Sequence, residues 1–418
     1  MPGAGRLLQR SSFLLGRLIG ACVVASPSRS AARRIALARL LSYAGTSAAF
    51  TALAYVVYRR TGSAGWVAAT FLITLGLRGA VTPLAGALGD RFDRRFVMVW
   101  SDLLGALFFL LMPFAHAPWL LLFVAVFAVV AESPFFPASA AALPNLVAPQ
   151  DLAWANGTIA FGSSVGYVAG PAIGGLLVAA GGAASVFLLN AASFVLSAAL
   201  VASVRGAFSA DRNGEDRAAR SLRAGAAFML RDPVLRTMVL AFAVFAVSVG
   251  SILVAELPLA AAFGAGAVGY GLLGTSFDLG AVFGALGARR LTEANERTWL
   301  VSASFVTAAG FAAVAVAPAF SFVLAAMIVS GASDGLVDVV VEVVFQRRSP
   351  DGVRSRVVAA LETTFLLGLA VSFAFGALLV DALGPKAAYA LAGGGCTVTA
   401  VLLLPLLRRA EQPSMRSG

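Results

Sequence analysis

Twelve stretches of roughly 20 mostly apolar residues, separated by short polar loops, set the terms for this chain, because about 20 such residues in a helix cross the ~30 Å hydrocarbon layer of a bilayer. Inside lipid the backbone has no water to bond, so a spanning segment of this kind is helical. The runs place helices near residues 36–58, 66–88, 96–115, 118–141, 153–179 and 184–204, then near 234–257, 267–288, 298–317, 319–344, 355–380 and 386–407. With 60% hydrophobic and 12% charged residues the chain is no water-soluble enzyme, in which the charged share would be about a quarter. The expected fold class is all-α: a polytopic membrane protein with twelve transmembrane helices in two six-helix pseudo-symmetric bundles.

The longest polar stretch, Arg205 to Asp232, divides the runs six and six. The expected organisation is a basic N-terminal segment 1–34, a bundle 35–204, a linker 205–233, a second bundle 234–407 and a tail 408–418. The halves echo each other. Gly86-Ala87-Leu88-Gly89 recurs as Gly284-Ala285-Leu286-Gly287, Pro149-Gln150-Asp151 as Pro350-Asp351, and Gly175-Leu176-Leu177-Val178 as Ala377-Leu378-Leu379-Val380, at offsets of 198, 201 and 202. Because six is even, both halves enter the membrane from the same side and form a parallel repeat about an axis along the membrane normal. Two such halves can rock around a central site.

Loops that retain arginine during insertion stay in the cytoplasm. Placing the N-terminus inside leaves about 26 basic residues inside and about 3 outside, namely Arg59, Arg60 and Lys386. Both termini are therefore expected in the cytoplasm, with the chain a multi-pass protein of the plasma or inner membrane and a monomer in the lipid bilayer. The net charge of +11 is spread between apolar runs instead of gathering on one face, so no nucleic-acid partner is expected. Arg6, Arg10 and Arg17 around the apolar run Leu18 to Ala25 mimic a signal peptide, but the run is short of a span and reads as a basic surface segment. Cys22, Cys396 and His116 cannot supply a four-ligand zinc site, and the lone lysine, Lys386, lacks the spacing of a Walker A loop. No metal and no cofactor are expected, and no enzymatic activity.

Between the second and third helices stands Gly86-Ala87-Leu88-Gly89-Asp90-Arg91-Phe92-Asp93-Arg94-Arg95. Glycine permits close helix approach, and Asp90 can accept hydrogen bonds from a helix N-terminus and from Arg94, a latch that breaks when the halves rock. In the fifth helix Gly157, Gly166, Gly170-Pro171 and Gly174-Gly175 follow gaps of eight and three residues; Gly166, Gly170 and Gly174 share a face for close packing, and Pro171 makes a kink. The loop resembles the signature of the major facilitator superfamily, with Asp93 where that family usually shows glycine and Ala288 replacing the aspartate in the second copy. The glycine helix resembles the antiporter motif of the superfamily's drug:proton exporters. Leu143-Pro144-Asn145-Leu146-Val147, Leu152-Ala153-Trp154-Ala155-Asn156-Gly157 and Gln346 through Val357 are similar to the branch holding macrolide, tetracycline-type and siderophore exporters. Many members of that branch carry an acid in the first helix, where this chain has Gly45-Thr46. The pattern Gly162-Ser163-Ser164-Val165-Gly166 also fits a hydrolase nucleophile, but it lies inside an apolar helix with no strand before it.

Ionisable residues within hydrocarbon cost several kcal/mol and mark a pathway or a buried partner. Arg78, Glu132, Asp278, Asp334 and Asp338 fall well inside their expected helices. Glu132 precedes Ser133-Pro134-Phe135-Phe136-Pro137, where two prolines free backbone carbonyls and Phe135 and Phe136 offer an apolar wall; the alternative for Glu132 is a structural ion pair with Arg78 or another basic group. Asp334, Asp338 and Glu342 recur every four residues and share a face, which makes Asp334 and Asp338 candidates for carrying a proton. Glu342, close to Arg347 and Arg348, reads as a gate or structural pair, while Asp102, Glu256, Glu362 and Asp381 are expected near helix ends, balancing loops. Arg78 and Asp278 occupy equivalent places in the two halves with opposite charge.

The resemblance implies a secondary active transporter whose first, fourth, seventh and tenth helices line a cavity, exporting amphipathic small molecules or drugs by proton antiport and alternating access. Alternatives are facilitated uptake, lipid or siderophore translocation on the same scaffold, or a membrane sensor that transports nothing.

Overall fold

A computed structural model describes residues 29–78, 80–81, 88, 91–209, 222–288, 291–292, 294–349 and 351–408, and among these every regular element is helical. The spans of the first half are α1 (Arg29–Thr61), α2 (Ala64–Leu77), α3 (Arg94–Phe114), α4 (Pro118–Leu146), and α5 and α6, which together fill 152–203. Those of the second are α7 (Pro233–Ala262), α8 (Gly266–Gly287), α9 (Glu296–Ala315), α10 (Phe320–Arg348), α11 (Asp351–Leu383) and α12 (Pro385–Leu403). Nine of the described stretches are long and apolar enough to cross a membrane by themselves; one of these, Trp154–Ser203, holds two spans, and α2 and α8 complete the twelve. The protein is an all-α, multi-pass membrane protein of two six-helix bundles.

Local chemistry explains where the helices bend. α5 turns back into α6 at Gly182, whose φ of 75° and ψ of 172° belong to a region that only glycine enters without strain. α4 breaks at Ser133-Pro134 between helices Pro118–Glu132 and Phe135–Leu146, since proline cannot donate to the ladder and its ring crowds the preceding turn. The last turns of α2, Leu72–Leu77, widen to a π-helix just before Arg78, a distortion that re-aims the side chains after it. Within the stretch 205–233 lies a further helix, Leu222–Arg231, and then Asp232 caps α7. Its carboxylate accepts from the amides of Val234 at 2.8 Å and Leu235 at 3.0 Å and pairs with Arg348 of α10 at 3.1 Å. Burial pushes the Asp232 carboxyl up, but the two amides and the Arg348 guanidinium outweigh it and hold the group below its ordinary range.

Small residues let backbones meet where lipid gives no hydrophobic push. Gly280 and Gly284 of α8 lie against the backbone of α10 at Ile328 and Ala332, and Gly331 and Gly335 of α10 answer against Phe277 and Ala281.

The apolar core is divided unevenly along the membrane normal. At the ends of the helices that carry the arginine-rich loops, one buried cluster belongs wholly to the first half, from Ala31 to Phe208, and another wholly to the second, from Met229 to Leu406. At the opposite end the core is shared: Ala54, Ala64 and Ala68 join Ile252, Phe311 and Phe373 in one cluster, and Ala267 joins the cluster of the first half. Phe71 of α2 stacks on Phe373 of α11 at 5.8 Å between ring centroids. Among the described residues, then, the halves share buried core only at the end remote from the arginines.

Two outcomes follow for stability. A methyl group at Gly284 would collide with the carbonyl oxygen of Ala332, so Gly284→Val should lower stability by about 2 kcal/mol, the usual cost of overpacking, seen as a lower midpoint of thermal unfolding in detergent. Asp232→Ala should cost about 1 kcal/mol at neutral pH, as for loss of an N-cap. A carboxyl held low in the folded state stabilises above its unfolded value and loses that contribution as pH falls through the folded one. The gap between wild type and variant should therefore close below about pH 4 in unfolding midpoints measured against pH.

Candidate functional site between the two bundles

The contact between halves at one end leaves a space between them that runs toward the arginine-rich end. α1 turns Tyr43, Thr46, Ser47 and Phe50 toward it, a run at intervals of three and four that puts one polar and aromatic face inward. α2 adds Phe71, Thr74 and Arg78, while the second half contributes Glu256 from α7 with Tyr270 and Asp278 from α8. This cavity measures about 190 Å3. It shares Tyr43, Thr46 and Arg78 with an adjoining hollow of about 220 Å3 that reaches Glu132, Phe135 and Phe136 of α4. Through Tyr43, Tyr167 and Asp278 it also joins an opening of about 440 Å3 between α5, α8 and α10, where Asp338 stands.

Arg78 forms an ion pair with Glu132, and the second carboxylate oxygen of Glu132 accepts from the Thr46 hydroxyl at 3.2 Å. The guanidinium also lies over the ring of Phe50, 5.7 Å from its centroid. The pair unites α2 and α4 and borders water on the Arg78 side only: the arginine side chain is 35% exposed, that of Glu132 5%. Phe135 is buried and Phe136 half exposed, its ring covered by Arg39 at 4.4 Å. Arg39, buried in α1, donates to the Ser139 hydroxyl at 2.7 Å and binds α1 to the second part of α4.

The acids expected on one face of α10 are divided between two spaces. Asp338 lines the opening between the bundles, whereas Asp334 faces a crevice inside the second bundle, among α7, α9, α10 and α12. Near the helix end Arg347 pairs with Glu296 and Arg348 with Asp232. Glu256 is a correction to the sequence reading. It was expected at a helix end, but α7 continues through Pro258 to Ala262, which sets Glu256 in the wall of the cavity with 6% of its surface exposed. Asp102 is another: it is buried within the first half beside Ser197 instead of balancing a loop. The cavity and its adjoining hollow draw on α1, α2, α4, α5, α7 and α8, with Phe194 of α6 at the edge and α10 reaching the side opening, a wider set of lining helices than the resemblance implies.

In the loop after α2, Gly86 and Asp90 lie outside the described residues. Of the arginines, Arg94 donates to the Ala141 carbonyl at 2.9 Å, Arg95 covers the ring of Phe208 at 4.9 Å and Arg91 that of Phe92 at 5.9 Å, so the loop is tied to the end of α4 and the segment after α6. Asp93 caps α3 by accepting from the Arg95 amide at 3.0 Å. On α5, Gly166, Gly170 and Gly174 all press against α1, whereas Gly157 faces open space. Pro171 and Gly175 turn to the other half instead: their backbones meet Gly271 and Ala267 of α8, and Thr275 of α8 donates to the Val168 carbonyl at 3.2 Å.

Removing Arg78 strands Glu132 without its cation. Arg78→Ala should lower stability by about 3 kcal/mol, and the double variant Arg78→Ala with Glu132→Gln should recover most of that loss, because neither charge then remains. Unfolding midpoints of the three proteins in the same detergent check this.

Comparison with known proteins agrees with this architecture. The sequence model of the Major Facilitator Superfamily matches residues 35–259 and again 238–417. The multidrug efflux pump Tap of Mycolicibacterium fortuitum is 27% identical over 375 residues, 85% of this chain and 90% of that protein. The uncharacterized MFS-type transporter YfiS of Bacillus subtilis is 27% identical over 350 residues, 80% and 82% of the two chains. Among solved structures, a bacterial homologue of the iron transporter ferroportin in its inward-facing state superposes with a TM-score of 0.72 at 18% identity, over 91% of this chain and 99% of that one. The fold, the internal repeat and the two-fold match of the family along nearly the whole chain place this protein in the major facilitator superfamily, a membrane transporter of small molecules.

Proposed function

We propose that this protein exports amphipathic small molecules, cationic ones foremost, in exchange for protons by alternating access. The observation that carries the reading is the space between the bundles: sealed at one end by Phe71, Phe373 and the α5–α8 contact, it is walled by aromatic rings and by Glu132, Glu256 and Asp278, with Arg78 already paired. An amphipathic cation finds there both an apolar surface and carboxylates for which the described lining offers Arg78 as its one cation. The arginine-rich end is assigned to the cytoplasm, since such loops are retained there. The structure is then open to the cytoplasm, ready to load, and both termini lie on that side. Relatedness to a multidrug efflux pump supports export.

In this cycle Arg78, Glu132, Phe135, Phe136, Asp278 and Asp338 form the pathway, and Glu256 joins them. Substrate and proton compete for the same carboxylates: a proton arriving from the far side neutralises them and releases the cation, and its departure inside restores them. Arg91, Arg94 and Arg95 anchor the loop between α2 and α3, with Gly86 and Asp90 as the latch. The glycines of α5 fix that helix to α1 while Pro171 and Gly175 press on α8, so the seal parts as two rigid bodies separate. The chain works as a monomer.

Proteoliposomes acidic inside should accumulate ethidium when the pH gradient is imposed. Glu132→Gln and Asp338→Asn should each cut the initial rate at least tenfold, about 1.4 kcal/mol or more in the barrier. Wild-type rates in both variants overturn the site assignment, and a wild-type protein that ignores the gradient overturns antiport.

A further inference from the structure

Asp334 stands apart from the carboxyls that meet substrate. It lies one turn before Asp338, yet it lines a crevice buried in the second bundle. The crevice holds about 20 Å3, room for about one water at a time. Its polar lining is Ser304 and Thr307 of α9 with Thr399 and Cys396 of α12, and the Thr307 hydroxyl donates to Ser333, the neighbour of Asp334, at 3.0 Å. The ionisable groups that face Asp334 are Cys396 from α12 and Asp338 from its own helix; α7 and α9 bring only apolar, serine and threonine side chains to the described lining. Toward the arginine-rich end the crevice adjoins a second, more open hollow of about 240 Å3, with Met238 and Leu300 as common wall, and there Glu296, Arg297, Arg347 and Arg348 surround the space.

We propose that Asp334 exchanges its proton with the cytoplasm through this crevice, so that the proton leaves by the inside of the second bundle while the substrate occupies the cavity between the bundles. The inference rests on the antiport reading above and gives it a second, separate route. A bulky cation filling the central cavity expels the water that would carry a proton out past it; a file of water behind α10 has no such conflict. In the step itself the O–H bond of the Asp334 carboxyl breaks, its proton passes to a crevice water and through the hollow to the medium, and the carboxylate stays behind to balance the arriving cation. The reverse transfer, with the proton delivered from the far side by way of Asp338, restores the O–H bond.

The test is proton release on binding of tetraphenylphosphonium to the purified full-length protein, followed by a pH dye in weak buffer, beside binding of the same cation and gradient-driven uptake in liposomes. Wild type should release protons on binding. Asp334→Asn should still bind the cation, within about threefold of the wild-type dissociation constant, a change of under about 1 kcal/mol, but release at most about half as many protons per cation bound, the remainder coming from the carboxyls of the central cavity. Ser304→Leu, which fills the crevice, should bind the cation as wild type does and release protons at least tenfold more slowly by this route; Thr307→Val, nearly the same shape without the hydroxyl, tests the file where the bulkier change harms folding and should slow release at least threefold. Undiminished release in Asp334→Asn, wild-type release rates in the crevice variants, or a tenfold loss of cation binding in them each overturn the separate route. If wild type shows gradient-driven uptake while any of these results holds, only the route falls; if wild type shows neither uptake nor release, antiport falls with it.

Discussion

A carboxylate within hydrocarbon must have a cation, water or a proton, and the buried acids of this protein divide according to which of these they are given. Glu132 has a cation, Arg78, and a hydroxyl from Thr46. Glu256 and Asp278 face the space between the bundles. Asp334 faces a crevice with room for water and hydroxyls. The hollow between the halves is thus a condition for keeping so many acids in a membrane, and the same hollow is what a transporter needs.

The seal at one end depends on backbone contact. Gly175 and Pro171 lie directly on Ala267 and Gly271, with no side chains between, and Phe71 stacks on Phe373. Such contacts are close and, among the described residues, lie at one end of the helices. The larger glycine faces, α5 on α1 and α8 on α10, lie within a half and keep each bundle rigid. Close packing inside the bundles with a shared core at one end alone among the described residues is an arrangement that permits rocking without unfolding.

Much of this was legible in the chain. Apolar run lengths gave the spans, and the offset near 200 gave the repeat. An ion pair of Glu132 with Arg78 or another basic group was open from the sequence, and the structure pairs it with Arg78. Three features were hidden. Glu256 looked terminal because the apolar run placed the helix near 234–257, although a proline near the end of a long helix can be accommodated, and α7 continues through Pro258 to Ala262. Arg39 is an arginine near the start of an apolar run, indistinguishable from a loop anchor until Phe136 and Ser139 are seen to enclose it. The residues of α1 that line the cavity did carry a signal, the spacing of Tyr43, Thr46, Ser47 and Phe50, but small hydroxyls and aromatics are frequent in membrane helices and the face alone does not say what it faces.

The sequence by itself determined the number of spans, their like-oriented halves and the identity of the costly charges, because hydropathy and charge act residue by residue against the bilayer. Only the tertiary structure decided which charges meet. Asp334 and Asp338 sit one turn apart on one helix, yet open onto different spaces, since the neighbours of α10 change from α8 and α5 on one side to α7, α9 and α12 on the other. A period of 3.6 residues fixes the direction of a side chain relative to its own helix; what stands in that direction is set by how the helices cross.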